Sequence, residues 1–146
     1  MQITKPNRAT HTYRQRLHAA PARVFPLLCP VREAEWAKGW LPDLVISSSG
    51  VAESDCVFIT PNESAKAIWY ITRHDPGRWF VEMLKIVPDV TACRLQIQLS
   101  ASSDGCFADI TYSHTSIDQA GDRFVAGFTA RRNCKNAASC EPWRKN

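Results

Sequence analysis

A proline at position 30 divides the passage from Ala20 to Trp40 into two short helical pieces, and most of the chain on either side reads as strand. Proline lacks the backbone donor that an interior helical bond requires, so no regular helix continues through it. The first piece begins at Pro21, whose fixed φ suits a first helical turn, and Val24, Phe25 and Leu28 fall at i, i+1 and i+4. Residues 21–28 are therefore expected to form a two-turn helix, and Val31–Ala37 a second one ending near Gly39. Upstream, Thr10–His18 alternates in character and predicts a first strand with one wet face. Downstream the hydrophobic period changes to two and stays there until a single terminal helix.

The period-two region divides at turn signals. Leu44–Ile46, Val57–Ile59, Ala67–Arg73, Trp79–Ile86, Cys93–Leu99 and Cys106–Thr115 read as strands. They are separated by Ser47–Gly50, Pro61–Ser64, Asp75–Arg78, Pro88–Asp89 and Asp104–Gly105. Asp75-Pro-Gly-Arg78 carries the Pro-then-Gly signature of a type II turn, and Asp104-Gly105 that of a tight hairpin. Cys93, Leu95, Ile97 and Leu99 alternate with Arg94, Gln96 and Gln98, the pattern of a half-buried strand. Ile68–Ile71 is apolar on both faces, so its inward register stays open. The hairpin spacing implies one antiparallel meander.

Ser116-Ile-Asp-Gln119 fits a capping box, and Ala120, Phe124 and Phe128 then recur every four residues with Val125 beside them. That stripe must cover the sheet. It stops after Phe128, because Arg131, Arg132, Asn133, Lys135 and Asn136 supply nothing apolar, and only Trp143 remains to dock. The expected organisation is a flexible N-terminus over 1–9, a single domain over 10–130 and a polar, basic tail over 131–146.

Composition removes several function classes. The net charge of +4 suggests a nucleic-acid partner, yet residues 129–146 carry five basic groups against Glu141 alone, and the remaining 13 basic and 13 acidic residues cancel. A nucleic-acid footprint would be a basic stripe on the folded face, so none is expected. No apolar run approaches the roughly 18 residues of a membrane span. The first ten residues lack the apolar core of a signal peptide, which makes a cytoplasmic protein the expectation. The six cysteines, at 29, 56, 93, 106, 134 and 140, form no Cys-x-x-Cys pair and have no histidine at zinc-finger spacing. They read as unbridged thiols, with no metal and no cofactor expected. No nucleophile elbow, phosphate loop or dinucleotide fingerprint occurs.

The passage Ala20-Pro-Ala-Arg-Val-Phe-Pro-Leu-Leu28, then Cys29-Pro-Val-Arg-Glu-Ala-Glu-Trp36, the Asp75-Pro-Gly turn and the ending Ala108-Asp-Ile-Thr-Tyr-Ser-His-Thr-Ser116 resemble the START-like, or SRPBCC, superfamily. That superfamily includes polyketide cyclases and dehydrases, plant pollen-allergen-like hormone binders and lipid-transfer domains. The Cys-Pro-Val-Arg-Glu passage is similar to a bacterial subgroup whose members mostly lack an assigned function. The resemblance covers roughly residues 10–130 and implies an α+β helix-grip fold. In such a fold a curved antiparallel sheet of about six to seven strands wraps a C-terminal helix, with a cavity between them. The short apolar stripe departs from the long terminal helix usual in the superfamily, which implies an open cavity floor or one covered by a second subunit. The expected state is a monomer or a homodimer.

The candidate cavity wall is aromatic. Trp36 and Trp40 are expected at the mouth, and Trp69, Tyr112, His114, Phe124 and Phe128 inside. On the last strand Ala108, Ile110, Tyr112 and His114 share the apolar face. His114 is the candidate for acid/base work, since imidazole titrates near neutral pH, and Tyr112 would point the same way. His11, His18 and His74 stand at no informative spacing. Arg32 and Glu35, three apart on the second short helix, can pair, either gating the cavity or tying that helix to a strand. A dry void of about 300 Å³ would cost about 7 kcal/mol, comparable to a domain's whole stability of about 5–15 kcal/mol. The function expected from such a fold is binding of a small, largely apolar ligand of lipid, polyketide or aromatic type. The alternatives are a cyclase or aromatase-type enzyme using His114 or Tyr112, and a protein-interaction module resembling a chaperone-activator domain.

Overall fold

The structure, a computed structural model, describes residues 1–63 and 65–133. Seven antiparallel strands form one curved sheet: β1 (Arg8–Leu17), β2 (Leu44–Ile46), β3 (Val57–Thr60), β4 (Ala67–Asp75), β5 (Phe80–Val87), β6 (Thr91–Ser102) and β7 (Gly105–Ser116). The spatial order is β1-β7-β6-β5-β4-β3-β2. The meander expected from hairpin spacing runs from β2 to β7, while β1 pairs with β7 at the opposite edge from β2. The passage 20–40 is thus the crossing from one edge of the sheet to the other. Helix α2 (Gln119–Asn133) packs across β7 and β1, completing an α+β helix-grip fold.

The two short helical pieces are shorter than their spacing implied. Helix α1 spans only Pro21–Val24 and tightens into a 3₁₀ turn over Phe25–Leu27. Pro26 explains this, since it cannot donate back to Ala22 and so ends the α-helical ladder after one turn. The second piece is a single 3₁₀ turn, Arg32–Glu35, extended by a bond from the Ala37 amide to the Glu33 carbonyl. Two indoles fasten the passage to itself: Trp36 Nε1 donates to the Leu27 carbonyl at 3.1 Å and Trp40 Nε1 to the Pro30 carbonyl at 2.8 Å.

Turn chemistry also departs from expectation at three places. The Asp75–Arg78 turn is not type II: the positive φ falls at Trp79 (51°) and not at Gly77, inside a four-residue loop between Asp75 and Phe80. The last hairpin turns at Ser103–Asp104, and Gly105 already pairs with Ser102. Gly105 is needed by close approach, because a Cβ there would lie 2.0 Å from the Leu17 carbonyl oxygen. At the start of α2 the cap is Asp118 and not Ser116. Its carboxylate accepts from the Gln119 amide and its carbonyl from the Asp122 amide, while the Ser116 hydroxyl donates to that same carbonyl.

Inward register follows the period of two. Cys93, Leu95, Ile97 and Leu99 are buried, as are Ala108, Ile110, Tyr112 and His114. The register left open for β4 is decided: Ala67, Trp69 and Ile71 point in, and Ile68 and Tyr70 are 42% and 41% exposed. The outer face of β1 is a polar ladder to β7, with Thr10 on Ser113, Thr12 on Thr111 and Arg14 on Asp109. Helix α2 buries Val125 and Phe128 deepest, beside Gly121, where a Cβ would stand 1.9 Å from the Val90 carbonyl oxygen. The packed stripe is therefore Gly121–Val125–Phe128, turned slightly from the Ala120–Phe124–Phe128 line. Cys134, Cys140, Trp143 and the rest of the basic tail beyond Asn133 lie outside the described residues.

Candidate functional site

Strand pairing lines up one row of inward side chains across the sheet: Phe58 opposite Trp69, Trp69 opposite Lys85, Lys85 opposite Cys93, and Cys93 opposite His114. A cavity of about 580 Å³ lies over this row, roofed at one end by α2 and at the other by the passage carrying Glu33 and Trp40. Its volume falls within the range of about 300–1,000 Å³ typical of small-molecule sites. Exposed Leu41, Asn62 and Glu63 rim it.

The end under α2 is a cluster of rings. His114 stacks on Tyr112 at a centroid distance of 5.8 Å and meets Phe124 and Phe128 edge-on at 4.9 and 4.6 Å. His11 stacks on Tyr13 at 5.1 Å and meets Phe128 edge-on at 5.3 Å. Such contacts contribute beyond simple burial because ring edges are electropositive and faces electronegative. His114 Nε2 is 3.9 Å from Cys93 Sγ. Imidazole, phenol and thiol thus share a wall that is otherwise apolar.

The opposite end is built from indoles. Trp69 stacks on Phe58 at 5.2 Å, and Trp40 meets both at 6.4 Å. Trp69 Nε1 donates to Thr60 Oγ1 at 2.9 Å, which leaves its faces for apolar contact. Over one of them, 4.9 Å from the ring centroid, lies the Lys85 ammonium, a cation–π pair directed into the cavity. Glu33 lines the same space and is only 6% exposed. Among the described residues its carboxyl has no hydrogen-bond or ion-pair partner. Burial alone pushes its pKa up to about 8, so at neutral pH it is mostly the protonated acid.

Of the residues singled out from sequence, Trp40, Trp69, Tyr112, His114, Phe124 and Phe128 meet around one cavity. Trp36 is not in its wall, because its indole is turned back on the Leu27 carbonyl. Arg32 and Glu35 form a surface ion pair at 3.0 Å, and neither lines the cavity. A 3₁₀ helix has three residues per turn, so Arg32 and Glu35 share one side while Glu33, a third of a turn on, goes inward. Sequence reasoning passed over Glu33 and Lys85 as ordinary charges. For Lys85 the signal was present, since it follows Val81 and Met83 on the inward face of β5. His11 was also missed; its neighbours come from β1 and α2, which are far apart in the chain.

The structure is similar to several solved ones. A protein of uncharacterised function from Rhizobium leguminosarum superposes with a TM-score of 0.65 at 13% identity, covering 89% of this chain and 91% of the other. Ara h 8.0201 gives a TM-score of 0.62 at 11% identity, covering 86% and 90%. Norcoclaurine synthase from Thalictrum flavum, as a point mutant in complex with a transition-state analogue, gives 0.65 at 8% identity, covering 86% of each chain. No family model matches the chain, and no curated protein matches it. The fold is the Bet v1-like, START-like helix-grip fold. Within it, Glu33, Thr60, Lys85, Tyr112 and His114 line the cavity between the sheet and the terminal helix. Buried Cys56 and Cys106 stand apart from the cavity, and burial pushes both thiols up, away from reactive thiolate. Cys29 is also buried, its sulfur accepting from the Ala52 amide at 3.1 Å. Among the described residues no helix is long and apolar enough to cross a membrane.

Proposed function

We propose that this chain binds a small, largely apolar ligand of aromatic, polyketide or lipid type in the cavity between the sheet and α2. The observation that carries the reading is the cavity itself: about 580 Å³, walled by rings from four strands, α2 and the segment following the 3₁₀ turn, with few polar groups among them. A core built only for stability closes to native density with voids scarcely larger than a water molecule. A rigid aromatic wall instead offers flat, apolar area at low entropic cost, and a few polar groups set orientation.

The likeness to norcoclaurine synthase supports keeping an enzymatic reading beside it, and so does His114, which shares the cavity with Tyr112 and Glu33. In that reading a bound polyketide-like chain is shaped by the aromatic walls, and His114 or Tyr112 moves the proton. A role as a protein-interaction module would call for a filled core and an apolar outer sheet face, and the cavity weighs against it.

Native mass spectrometry of the protein purified from its own host, followed by extraction and identification of any guest, tests the binding reading. The expected result is a retained small molecule. If no guest is retained, and a panel of lipids, polyketides and aromatics leaves Tm unchanged, the reading fails. For the enzymatic reading, His114→Ala should abolish turnover of the identified guest while leaving the circular dichroism spectrum intact.

A further inference from the structure

The inward row across the sheet brings one thiol against one imidazole. Cys93 on β6 and His114 on β7 are register partners, both are buried on the inward face, and Cys93 Sγ lies 3.9 Å from His114 Nε2. With the imidazole proton on Nδ1, Nε2 is the acceptor for the Cys93 S–H. The imidazole is held by other rings, stacked on Tyr112 and met edge-on by Phe124 and Phe128. A cysteine within reach of a base that is itself held in orientation is the arrangement that makes a nucleophile, because the thiolate is the attacking species. The other cysteines among the described residues are placed differently. Cys56 and Cys106 stand apart from the cavity, and the Cys29 sulfur accepts from the Ala52 amide. Among the described residues Cys93 is the one cysteine that lines the cavity.

We infer that Cys93, activated by His114, is a nucleophile that covalently attaches an apolar, arene-bearing α,β-unsaturated carbonyl compound inside the cavity. This rests on the ligand-binding reading above and names the ligand class. His114 Nε2 takes the thiol proton, Cys93 Sγ bonds to the β-carbon, the C=C electron pair shifts to the α-carbon, and His114 returns the proton there. No atom leaves and there is no net oxidation or reduction, so the reverse steps release the ligand unchanged. Acyl transfer to the same thiol would need a leaving group and donors aimed at an oxyanion. Strands β6 and β7 are each paired on both sides, so their backbone N–H groups are used in the ladders and form no such hole. The route to the thiol is the cavity's exposed rim at Leu41, Asn62 and Glu63.

The test is incubation of the full chain with benzylideneacetone, following adducts by intact-protein mass spectrometry and locating them by peptide mapping. Benzylacetone, the saturated ketone that cannot add, reports reversible binding by isothermal titration calorimetry. The expected result is an adduct at Cys93, formed at least about tenfold faster than the adduct of N-acetylcysteine with the same enone. Weaker probe binding in a variant would imitate lost activation, so variants are compared by the limiting rate at saturating enone. His114→Gln should lower that limiting rate about a hundredfold. Binding of benzylacetone with no adduct at Cys93 overturns the inference and leaves the binding reading standing. A Cys93 rate no faster than that of N-acetylcysteine does the same. So does a limiting rate in His114→Gln within about threefold of the wild type, because Cys93 would then react without the imidazole. Binding of neither ketone, with no adduct, at millimolar concentration overturns the inference together with the binding reading for arene-sized bodies. The comparison with N-acetylcysteine needs no variant, so it remains decisive if His114→Gln fails to fold.

Discussion

The two ends of the cavity reach similar aromatic density by different means. Under α2, rings from β1, β7 and the helix pack on one another: His114 touches Tyr112, Phe124 and Phe128, and His11 touches Tyr13 and Phe128. Under the crossing passage, the indoles are held by hydrogen bonds, Trp40 to the Pro30 carbonyl and Trp69 to Thr60, and charged groups lie among them. The helix end is positioned by regular secondary structure. At the other end Phe58, Trp69 and Lys85 also come from strands, but Trp40 and Glu33 come from an irregular segment with few ladder bonds of its own, where a side-chain hydrogen bond does the fastening. Regular elements set ring geometry through backbone periodicity, whereas in the irregular segment Trp40 is tied down individually and Glu33 is turned inward.

Several measurements would break or sharpen this contrast. The largest effect is expected for Trp69→Ala, which removes a buried indole stacked on Phe58; a loss of about 3–5 kcal/mol should appear in urea denaturation. A loss under 1 kcal/mol would mean the indole end collapses freely and is no fixed wall. The second effect depends on pH. Glu33 ionises near its ordinary value in the unfolded chain and at about 8 when folded, so between these values the folded state holds a proton that the unfolded state has released. Stability should therefore fall as pH rises from about 4.5 to 8, by on the order of 1 kcal/mol per pH unit, then level off. Glu33→Gln should remove that contribution; an unchanged slope would show that the carboxyl is solvated.

Next comes Gly121→Ala, which drives a methyl into the Val90 carbonyl and should cost about 1–3 kcal/mol by pushing α2 from the β5–β6 turn. A neutral result there would mean that α2 sits loosely on the sheet. Trp40→Phe keeps the ring and removes the donor to Pro30, for an expected loss of about 1–2 kcal/mol. Smallest of all is Arg32→Ala, whose surface ion pair should leave the denaturation midpoint within error. A measurable loss would restore the pair as a structural tie.

Much of this was legible in the residues, and the parts that were not share a cause. Strand number, the inward face of β7, the buried alternation of β6 and the ring stripe of α2 follow from period and spacing, because backbone geometry sends every second strand residue to one face. The candidate wall residues on those elements were found for the same reason. Trp36 was misplaced because a one-turn 3₁₀ segment has no periodicity to read, so its indole direction depends on a carbonyl nine residues back. Arg32–Glu35 drew notice as a spaced pair, while Glu33, one of the two residues between them, is the one turned into the cavity.

Local pattern, then, was enough for the curved sheet, its helix and the expectation of a hollow between them, since hydrophobic period and proline placement act over a few residues. Tertiary structure alone decided that β1 closes the far edge of the sheet, that β4 turns Trp69 inward, and that Lys85 and Glu33 face one space. Those outcomes depend on which strands pair and how the crossing passage folds back. They arise from contacts between segments far apart in the chain, where the energy of a position is set by its neighbours in space and not by its neighbours in sequence.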